Sequence, residues 1–287
     1  YNFIIMKLLF FGDCMFGRDN HPFIENPFIN IESFLKKSSA IFFNLETTIS
    51  EKPLSDKFKR PKTFNYQANG SRLLTLRKIT KKPIFVSIAN NHSLDYDVKG
   101  HENTKKFLKS NNFFCNSKNK VEHKNIIFIN ATDHCGCNNK DLWSEHITMI
   151  DYNNLQPIYE RIKKLEKQKL IVFSMHWGSN WVKGKMPDHI KDFGKGLIDS
   201  GVDIVFGHSH RAQDNRVSKI SPIKNDFTRI INVGCAMPFN HIESYAKHSL
   251  TGWTYQICEL KIWDNHIQEV NNISMQTLER DYGKKKS

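Results

Sequence analysis

Six short apolar runs in the first 210 residues each end in a polar corner that carries a carboxylate, an amide or an imidazole. The runs are IIMKLLFFGD, AIFFNLE, KPIFVSIANNH, NIIFINATD, KLIVFSMHWG and VDIVFGHSH. Continuous apolar runs of this kind are typical of parallel strands that are covered on both faces. Patterns with apolar residues three and four apart lie between several runs, so the sequence predicts an α/β fold with helices outside the sheets.

The predicted helices are NIESFLKKS, SRLLTLRKI, VKGHENTKKFLKS, NLQPIYERIKKLEKQ and PDHIKDFGKGLIDSG. After residue 215 the chain reads as strands, in TRIINVG and WTYQICELKI, and no helical pattern is evident. We therefore expect a mostly β part over residues 215–275 and a basic tail at 283–287, within a single domain that spans residues 1–287. Because Gly207 follows the apolar run at 202–206, we expect the backbone to turn there, close to a site.

Composition limits the partners and the compartment. A formal charge of +13 favours anionic partners, and no recognised motif points to a specific nucleic acid. Six cysteines are too sparse for a disulfide scaffold and predict reduced thiols in a cytoplasmic protein. The apolar start, YNFIIMKLLFFG, is too short to cross a membrane and reads as the first strand. No other segment is long and apolar enough, so we expect no transmembrane segment in this chain, while an anchor upstream of residue 1 stays open.

Residues of the type that bind metals follow the apolar runs. They are Asp13, Asn44, Glu46, Asn91, His92, His176, His208 and His210. The carboxyl ends of parallel strands are where α/β proteins place their sites. One histidine after a strand is more often a hydrogen-bonded rim residue than a ligand, but five such corners in one chain predict a site. Imidazole, carboxylate and amide groups together suit divalent Mn, Fe or Zn, and a carboxylate can bridge two ions.

Basic residues near these corners predict a rim that binds anions. Arg18 follows the first strand, and residues 51–70 contribute Lys57, Lys59, Arg60 and Lys62. Guanidinium and ammonium groups bind phosphate or carboxylate, although a solvated loop is the alternative for the lysines. The predicted substrate-binding residues are Arg18, Asn44, Lys59 and Arg60.

Two further patterns allow more than one interpretation. Asp95, three residues after His92, can orient that imidazole or cap the next helix. The segment TDHCGCN (132–138) suggests zinc, but no second cysteine pair has zinc-finger spacing, so we interpret it as an ordinary loop.

Several segments resemble, in order and spacing, the CapA-type capsule and poly-γ-glutamate synthesis proteins, a branch of the calcineurin-like metallophosphoesterase superfamily. These segments are GDCMFGR, NLETTIS, ANNHSLDY, HWGSNW, GVDIVFGHSH and INVGCAMPF, and they run from about residue 7 to residue 240. The resemblance implies a four-layer α/β/β/α metallophosphatase-like sandwich. It also implies a role in capsule or poly-γ-glutamate biosynthesis and one or two divalent ions at the strand ends.

The resemblance implies metal ligands position by position. Asp13 matches the ligand on the first strand, Glu46 the bridging carboxylate and Asn91 the amide ligand. One implied site comprises Glu46, Asn91, His176 and His208, and the other comprises Asp13, Glu46 and His210. Met15 stands where the phosphoesterases of the superfamily usually have a histidine, so the second site has three protein ligands.

The implied reaction is hydrolysis of a phosphoester or another anionic substrate through a metal-bound hydroxide. His92 would be the catalytic residue that faces the scissile group, with Asp95 as its partner. Asn180 stands where the family tends to have an acidic residue. The alternative is a non-catalytic component of polymer synthesis or export, which would hold poly-γ-glutamate or a capsule polymer on the basic rim.

Overall fold

Two central sheets organise the computed structural model, which describes residues 6–14, 28–62, 65–135, 140–178, 187–209, 229–232, 254–263 and 266–276. The first sheet has six strands, in the spatial order β13 (His266–Gln276), β12 (Thr254–Trp263), β1 (Met6–Cys14), β2 (Ala40–Leu45), β5 (Ile84–Ser87) and β6 (Phe114–Asn116). The second has five, in the order β11 (Arg229–Asn232), β10 (Ile204–Ser209), β9 (Leu170–Trp177), β8 (Ile126–Thr132) and β7 (Val121–His123). A short pair joins β3 (Thr48–Ile49) to β4 (Gln67–Ala68).

The strands that the apolar runs form pair in parallel with at least one neighbour, as predicted. In the first sheet β1, β2, β5 and β6 are parallel neighbours, and β12 and β13 extend the sheet antiparallel. In the second sheet β8 to β11 are parallel, and β7 is antiparallel. The carboxyl ends of the central strands of each sheet therefore lie at one edge.

Helices cover the outer face of each sheet, which completes the predicted α/β/β/α sandwich. The helices are α1 (Glu32–Lys37), α2 (Ser71–Ile79), α3 (Asp97–Ser110), α4 (Lys140–His146), α5 (Gln156–Lys163) and α6 (Asp188–Asp199). Leu73 of α2 and Leu108 of α3 belong to the core of the first sheet. Ile162 of α5 and Phe193 of α6 pack into a separate core on the second sheet.

Aromatic rings fill the space between the two sheets. Phe10, Phe42 and Phe85 of the first sheet stack in a row, with ring centroids 4.7 and 4.9 Å apart. From the second sheet, Phe206 lies 5.2 Å from Phe10, and Phe128 lies 5.5 Å from Phe42. All five rings are fully buried. This packing fixes the two sheets against each other, and with them the positions of the strand ends.

Gly207 does not end its strand, so the prediction of a turn there is wrong. β10 stays paired with β9 through Ser209, and Gly207 lies opposite Met175. A Cβ atom on Gly207 would lie 2.4 Å from Cζ2 of Trp177. The glycine is therefore required by the close approach of a buried indole and not by a change of chain direction.

Four further predictions concern membrane-spanning helices, the part of the chain after residue 215, the cysteines and the domain organisation. Among the described residues, no helix is long and apolar enough to cross a membrane. Those described after residue 215 are all in strands. The described cysteines, Cys14, Cys115, Cys135 and Cys258, are free. The single domain stays a prediction, and the basic tail lies outside the described residues.

Candidate metal centre

One carboxylate and two imidazoles meet where β1, β9 and β10 end. His176 and His208 lie opposite each other on neighbouring strands, and Asp13 comes from the other sheet. Oδ1 of Asp13 is 3.0 Å from Nδ1 of His208 and 3.4 Å from Nδ1 of His176, and the two Nδ1 atoms are 3.1 Å apart. All three side chains are buried. We refer to these residues as the Asp13–His176–His208 triangle.

The triangle has the dimensions of part of a metal coordination shell. Ligand atoms about 2.1 Å from one ion, at tetrahedral or octahedral angles, lie about 3.0 to about 3.4 Å apart. Nε2 of His176 is 2.9 Å from the acceptor Oδ1 of Asn91, so Nε2 carries the hydrogen and Nδ1 offers a lone pair. Nε2 of His208 is 2.9 Å from Oγ of Ser174, which can accept a hydrogen in the same way. These residues could therefore hold a metal ion.

The ionisation of the triangle suits a cation. Burial lowers the pKa of His176 to about 4, although the charge of Asp13 acts in the opposite direction. Burial by itself raises the pKa of Asp13, but the contacts of its carboxylate with His176 and His208 outweigh burial and hold that pKa well below its usual range. At neutral pH an ionised carboxylate thus lies beside a neutral imidazole, and these are the forms that bind metals.

Two buried amides orient Asp13. Nδ2 of Asn44 donates to Oδ1 of Asp13 at 2.7 Å, and Oδ1 of Asn44 accepts from Nδ2 of Asn90 at 3.0 Å. One extra residue in β1 relative to β2, after Phe10, brings Asp13 opposite Asn44. Asn44 was predicted to bind substrate, but it is fully buried with both ends of its amide engaged by the protein. The sequence did not single out Asn90, although it is part of ANNHS.

Glu46 lies on the other side of the His176 ring from Asp13. Oε1 of Glu46 is 3.9 Å from Nε2 of His176 and 3.8 Å from Nε2 of His92. The grouping differs from the one that the resemblance implied. Asp13 was expected in one site and the two imidazoles in the other, whereas Asp13 contacts both His176 and His208.

The structure thus brings most of the predicted site residues together. Grouped at this edge of the sheets are Asp13, Asn44, Glu46, Asn91, His92, Asp95, His176 and His208. Outside the described residues lie Met15, Arg18, Asn180 and His210.

His92 is held by Asp95, and Asp95 by Lys62. Nδ1 of His92 is 2.7 Å from Oδ2 of Asp95, which also accepts the backbone N–H of Tyr66 at 2.6 Å. Nζ of Lys62 forms an ion pair with Oδ1 of Asp95 and donates to the carbonyl of Asn91 at 2.9 Å. Burial lowers the pKa of His92, in spite of the neighbouring carboxylate. Lys62, which the sequence placed on the basic rim, is in fact an interior residue of this network.

Two other rim residues, Arg60 and Lys59, precede Lys62 in the same segment. Arg60 forms an ion pair with Asp97 at 2.7 Å, and its backbone N–H donates to the carbonyl of Asp95 at 2.9 Å. Lys59 is exposed and pairs with Asp56 at 2.8 Å. Their contact with substrate stays a prediction.

Asp133 and His134, in the segment interpreted from its sequence as an ordinary loop, also lie at this site. They follow β8 directly, and the ring centroid of His134 is 5.1 Å from that of His176. Burial by itself raises the pKa of Asp133, but the hydrogen bonds that its carboxylate accepts, first of all from His134, outweigh burial and lower that pKa. The signal was present in the sequence, because NIIFINATDH has the same apolar run and polar corner as the recognised sites.

The fold is a four-layer α/β/β/α sandwich, and a buried cluster of one carboxylate and two imidazoles lies at the strand ends. These two features place the chain among α/β proteins with a candidate metal centre. Residues 7–224 match the family model described as bacterial capsule synthesis protein PGA_cap. The chain belongs to this family, which confirms the resemblance seen in the motifs.

Individual relatives agree with this assignment. The chain is 24% identical over 219 residues to the capsule biosynthesis protein CapA of Bacillus anthracis, covering 69% of this chain and 52% of the relative. It therefore spans about half the length of that protein. A probable polyglutamine synthesis accessory protein of Mycobacterium tuberculosis is 40% identical over 55 residues, which are 19% of this chain and 14% of the relative.

A solved structure supports the fold. The crystal structure of a hypothetical protein from Thermus thermophilus matches with a TM-score of 0.52 at 11% sequence identity, and the match covers 95% of this chain and 100% of the other. At this identity the likeness concerns the fold alone.

Proposed function

We propose that the chain is a CapA-like protein of capsule or poly-γ-glutamate biosynthesis that acts as a metal-dependent hydrolase on a phosphoester or another anionic substrate. The observation that carries the proposal is the Asp13–His176–His208 triangle, with ligand atoms 3.0 to 3.4 Å apart in a buried site. The family and the names of the relatives support the biosynthetic context.

Asp13, His176 and His208 would hold a divalent Mn, Fe or Zn ion. Glu46 and Asn91 face the opposite nitrogen of His176, so they would hold a second ion rather than share the one held by the triangle. When bound, such an ion lowers the pKa of water from about 15.7 toward 7 and polarises an anionic oxygen.

The chain's own residues would position the reacting groups. The carboxylate of Asp95 accepts the hydrogen on Nδ1 of His92, which leaves Nε2 as the atom that exchanges a proton with substrate. Asn44 keeps Oδ1 of Asp13 in place. Arg18, Lys59 and Arg60 would contact the anionic substrate from the rim of the site.

Metal analysis and hydrolysis assays test the proposal together. We expect protein loaded with Mn²⁺ or Zn²⁺ to retain the ion and to hydrolyse p-nitrophenyl phosphate or bis-p-nitrophenyl phosphate. His208→Ala should lose both properties. His92→Ala should keep the ion and lose about 10²- to 10⁴-fold in rate, the usual contribution of a proton-transferring group. His123→Ala is the matched control, because His123 pairs with Ile126 at the opposite end of β8.

Two outcomes count against the proposal in different ways. Wild-type protein that retains no divalent ion contradicts the metal centre. Wild-type protein that retains the ion and binds poly-γ-glutamate without any hydrolysis favours the non-catalytic component of polymer synthesis or export.

A further inference from the structure

The carboxylate of Asp133 is held in place by three hydrogen bonds beside the candidate metal centre. Its Oδ2 accepts the backbone N–H of Gly178 at 2.8 Å and the hydroxyl of Tyr152 at 2.9 Å. Its Oδ1 lies 2.6 Å from Nδ1 of His134, and the carboxylate is almost fully buried. Gly178 follows β9 directly and has a positive φ of 76°, which aims its N–H at this carboxylate without a Cβ penalty. Asp133 is therefore a rigid orienting group for His134.

The backbone of His134 is tied to that of His176. The hydroxyl of Thr132 lies 3.0 Å from the carbonyl of His134 and 3.1 Å from the carbonyl of His176. The backbone N–H of Asp133 donates to the same carbonyl of His176 at 3.2 Å. The two rings lie side by side, with an angle of 37° between their planes. The position of His134 relative to the triangle is thus set by backbone as well as side-chain contacts.

The imidazole of His134 has one nitrogen in use and one available. Its Nδ1 carries the hydrogen that an ionised Asp133 accepts, so in the neutral ring Nε2 offers a lone pair. Within the part of the chain that the structure describes, no hydrogen-bond partner meets Nε2, and the side chain is 31% exposed. Unlike His176 and His208, which are fully buried, His134 can reach a molecule that enters from solvent.

We propose that His134 is a further catalytic residue of this centre, which accepts a hydrogen bond at Nε2 from the water that attacks the anionic substrate, and that Asp133 is its positioning residue. This inference rests on the proposed hydrolase function and names a residue of the same site. A carboxylate that holds one imidazole nitrogen and leaves the other free to accept is the arrangement that orients a nucleophile in enzymes of several folds. In this proposal neither His134 nor Asp133 binds the metal ion.

The test compares His134→Ala and His134→Gln with the wild-type protein, each loaded with Mn²⁺, in hydrolysis of p-nitrophenyl phosphate or bis-p-nitrophenyl phosphate. We expect kcat of His134→Ala to fall by about 10²-fold, with KM and bound metal unchanged. Added imidazole should restore part of kcat in His134→Ala and none in His92→Ala, because His134 is open to solvent and His92 is buried. His134→Gln, which keeps an acceptor oxygen, should lose less than His134→Ala, and His123→Ala should behave as wild type.

Three other outcomes would overturn the role of His134 or the proposed function. An unchanged kcat in both variants overturns the role of His134 and leaves the hydrolase function standing. Loss of bound metal, or loss of kcat that neither imidazole nor glutamine restores, makes His134 a structural support of His176 and also overturns the inference. Wild-type protein without hydrolysis overturns the proposed function itself, and the role of His134 in it, before any variant is compared.

Discussion

At the scale of single residues, the ion pair of Lys62 and Asp95 is a buried contact whose loss should be costly. Asp95 is fully buried and Lys62 only 13% exposed. In Lys62→Met the carboxylate keeps its bonds to His92 and Tyr66 but loses its counter-charge. Removal of one partner of a buried pair costs about 3 kcal/mol or more, so we expect the free energy of unfolding to fall by about that amount in urea titrations.

The exposed pair of Lys59 and Asp56 provides the matched control. It lies three residues away in the same segment, and both side chains are largely in water. We expect Lys59→Met to change the free energy of unfolding by less than about 1 kcal/mol, since exposed ion pairs contribute little. Equal losses in the two variants would mean that the Lys62 pair is no more important than a surface contact.

The sequence could predict site residues only where a local pattern pointed to them. Asp13, His176 and His208 each follow an apolar run, and the run itself indicates a strand end. Lys62 lies in a loop between short elements, and its partner is 33 positions along the chain, at Asp95. No local pattern pairs a loop lysine with a distant carboxylate, so its interior position could be seen only in three dimensions.

At the scale of elements, the contact of β9 with β10 explains why the strand that carries His208 contains a glycine. Gly207→Ala would place Cβ 2.4 Å from Cζ2 of Trp177, whose ring is fully buried and has little room to move. Overpacking of this kind costs about 1–3 kcal/mol, so we expect a loss of that size in the free energy of unfolding. In a Trp177→Phe background the smaller ring should relieve the contact and reduce the cost of Gly207→Ala. A double-mutant cycle in urea measures this coupling, and strictly additive losses would show that the two residues do not clash.

The sequence predicted helices where apolar residues recur at spacings of three and four. The helix predicted at SRLLTLRKI is α2, Ser71–Ile79, without any change of boundary. α5 was predicted too long, because it ends at Lys163, after which the N–H of Leu165 bonds the carbonyl of Ile162 in a turn. α4, KDLWSEH, was missed, because its apolar residues Leu142 and Trp143 are adjacent and show no spacing of three or four. Its packing is tertiary, through the buried Trp143.

At the scale of the whole molecule, the candidate metal centre joins the two sheets. Asp13 and Asn44 come from the first sheet, and His176 and His208 come from the second. The apolar runs predicted parallel strands and outer helices but contained no signal for how two sheets face each other. That arrangement depends on the stacked rings of Phe10 and Phe42 and the rings opposite them. Any ion in the triangle would thus bridge sheets that the aromatic core has already brought together.

Buried histidines make the stability of the whole molecule depend on pH. His101 on α3 is such a histidine, and it is not one of the candidate metal ligands. It is fully buried, with Nε2 2.9 Å from Oγ of Ser117. Burial, and then the charge of Lys105, lower its pKa from 6.5 to about 4. Between these two values the unfolded chain binds a proton that the folded chain does not, so stability falls as pH decreases from about 6.5 to about 4.

A shift of this size corresponds to about 3 kcal/mol. We therefore expect the free energy of unfolding of the wild-type protein to lose about 3 kcal/mol more than that of His101→Gln between pH 7.5 and about pH 4, measured by urea denaturation. Glutamine can keep the hydrogen bond to Ser117 but does not titrate, so any constant packing cost cancels in the comparison of slopes. His189→Gln, at an exposed position on α6, serves as the control for the effect of the substitution itself. Parallel pH curves for wild-type protein and His101→Gln would mean that His101 is protonated as readily in the folded protein as in the unfolded chain.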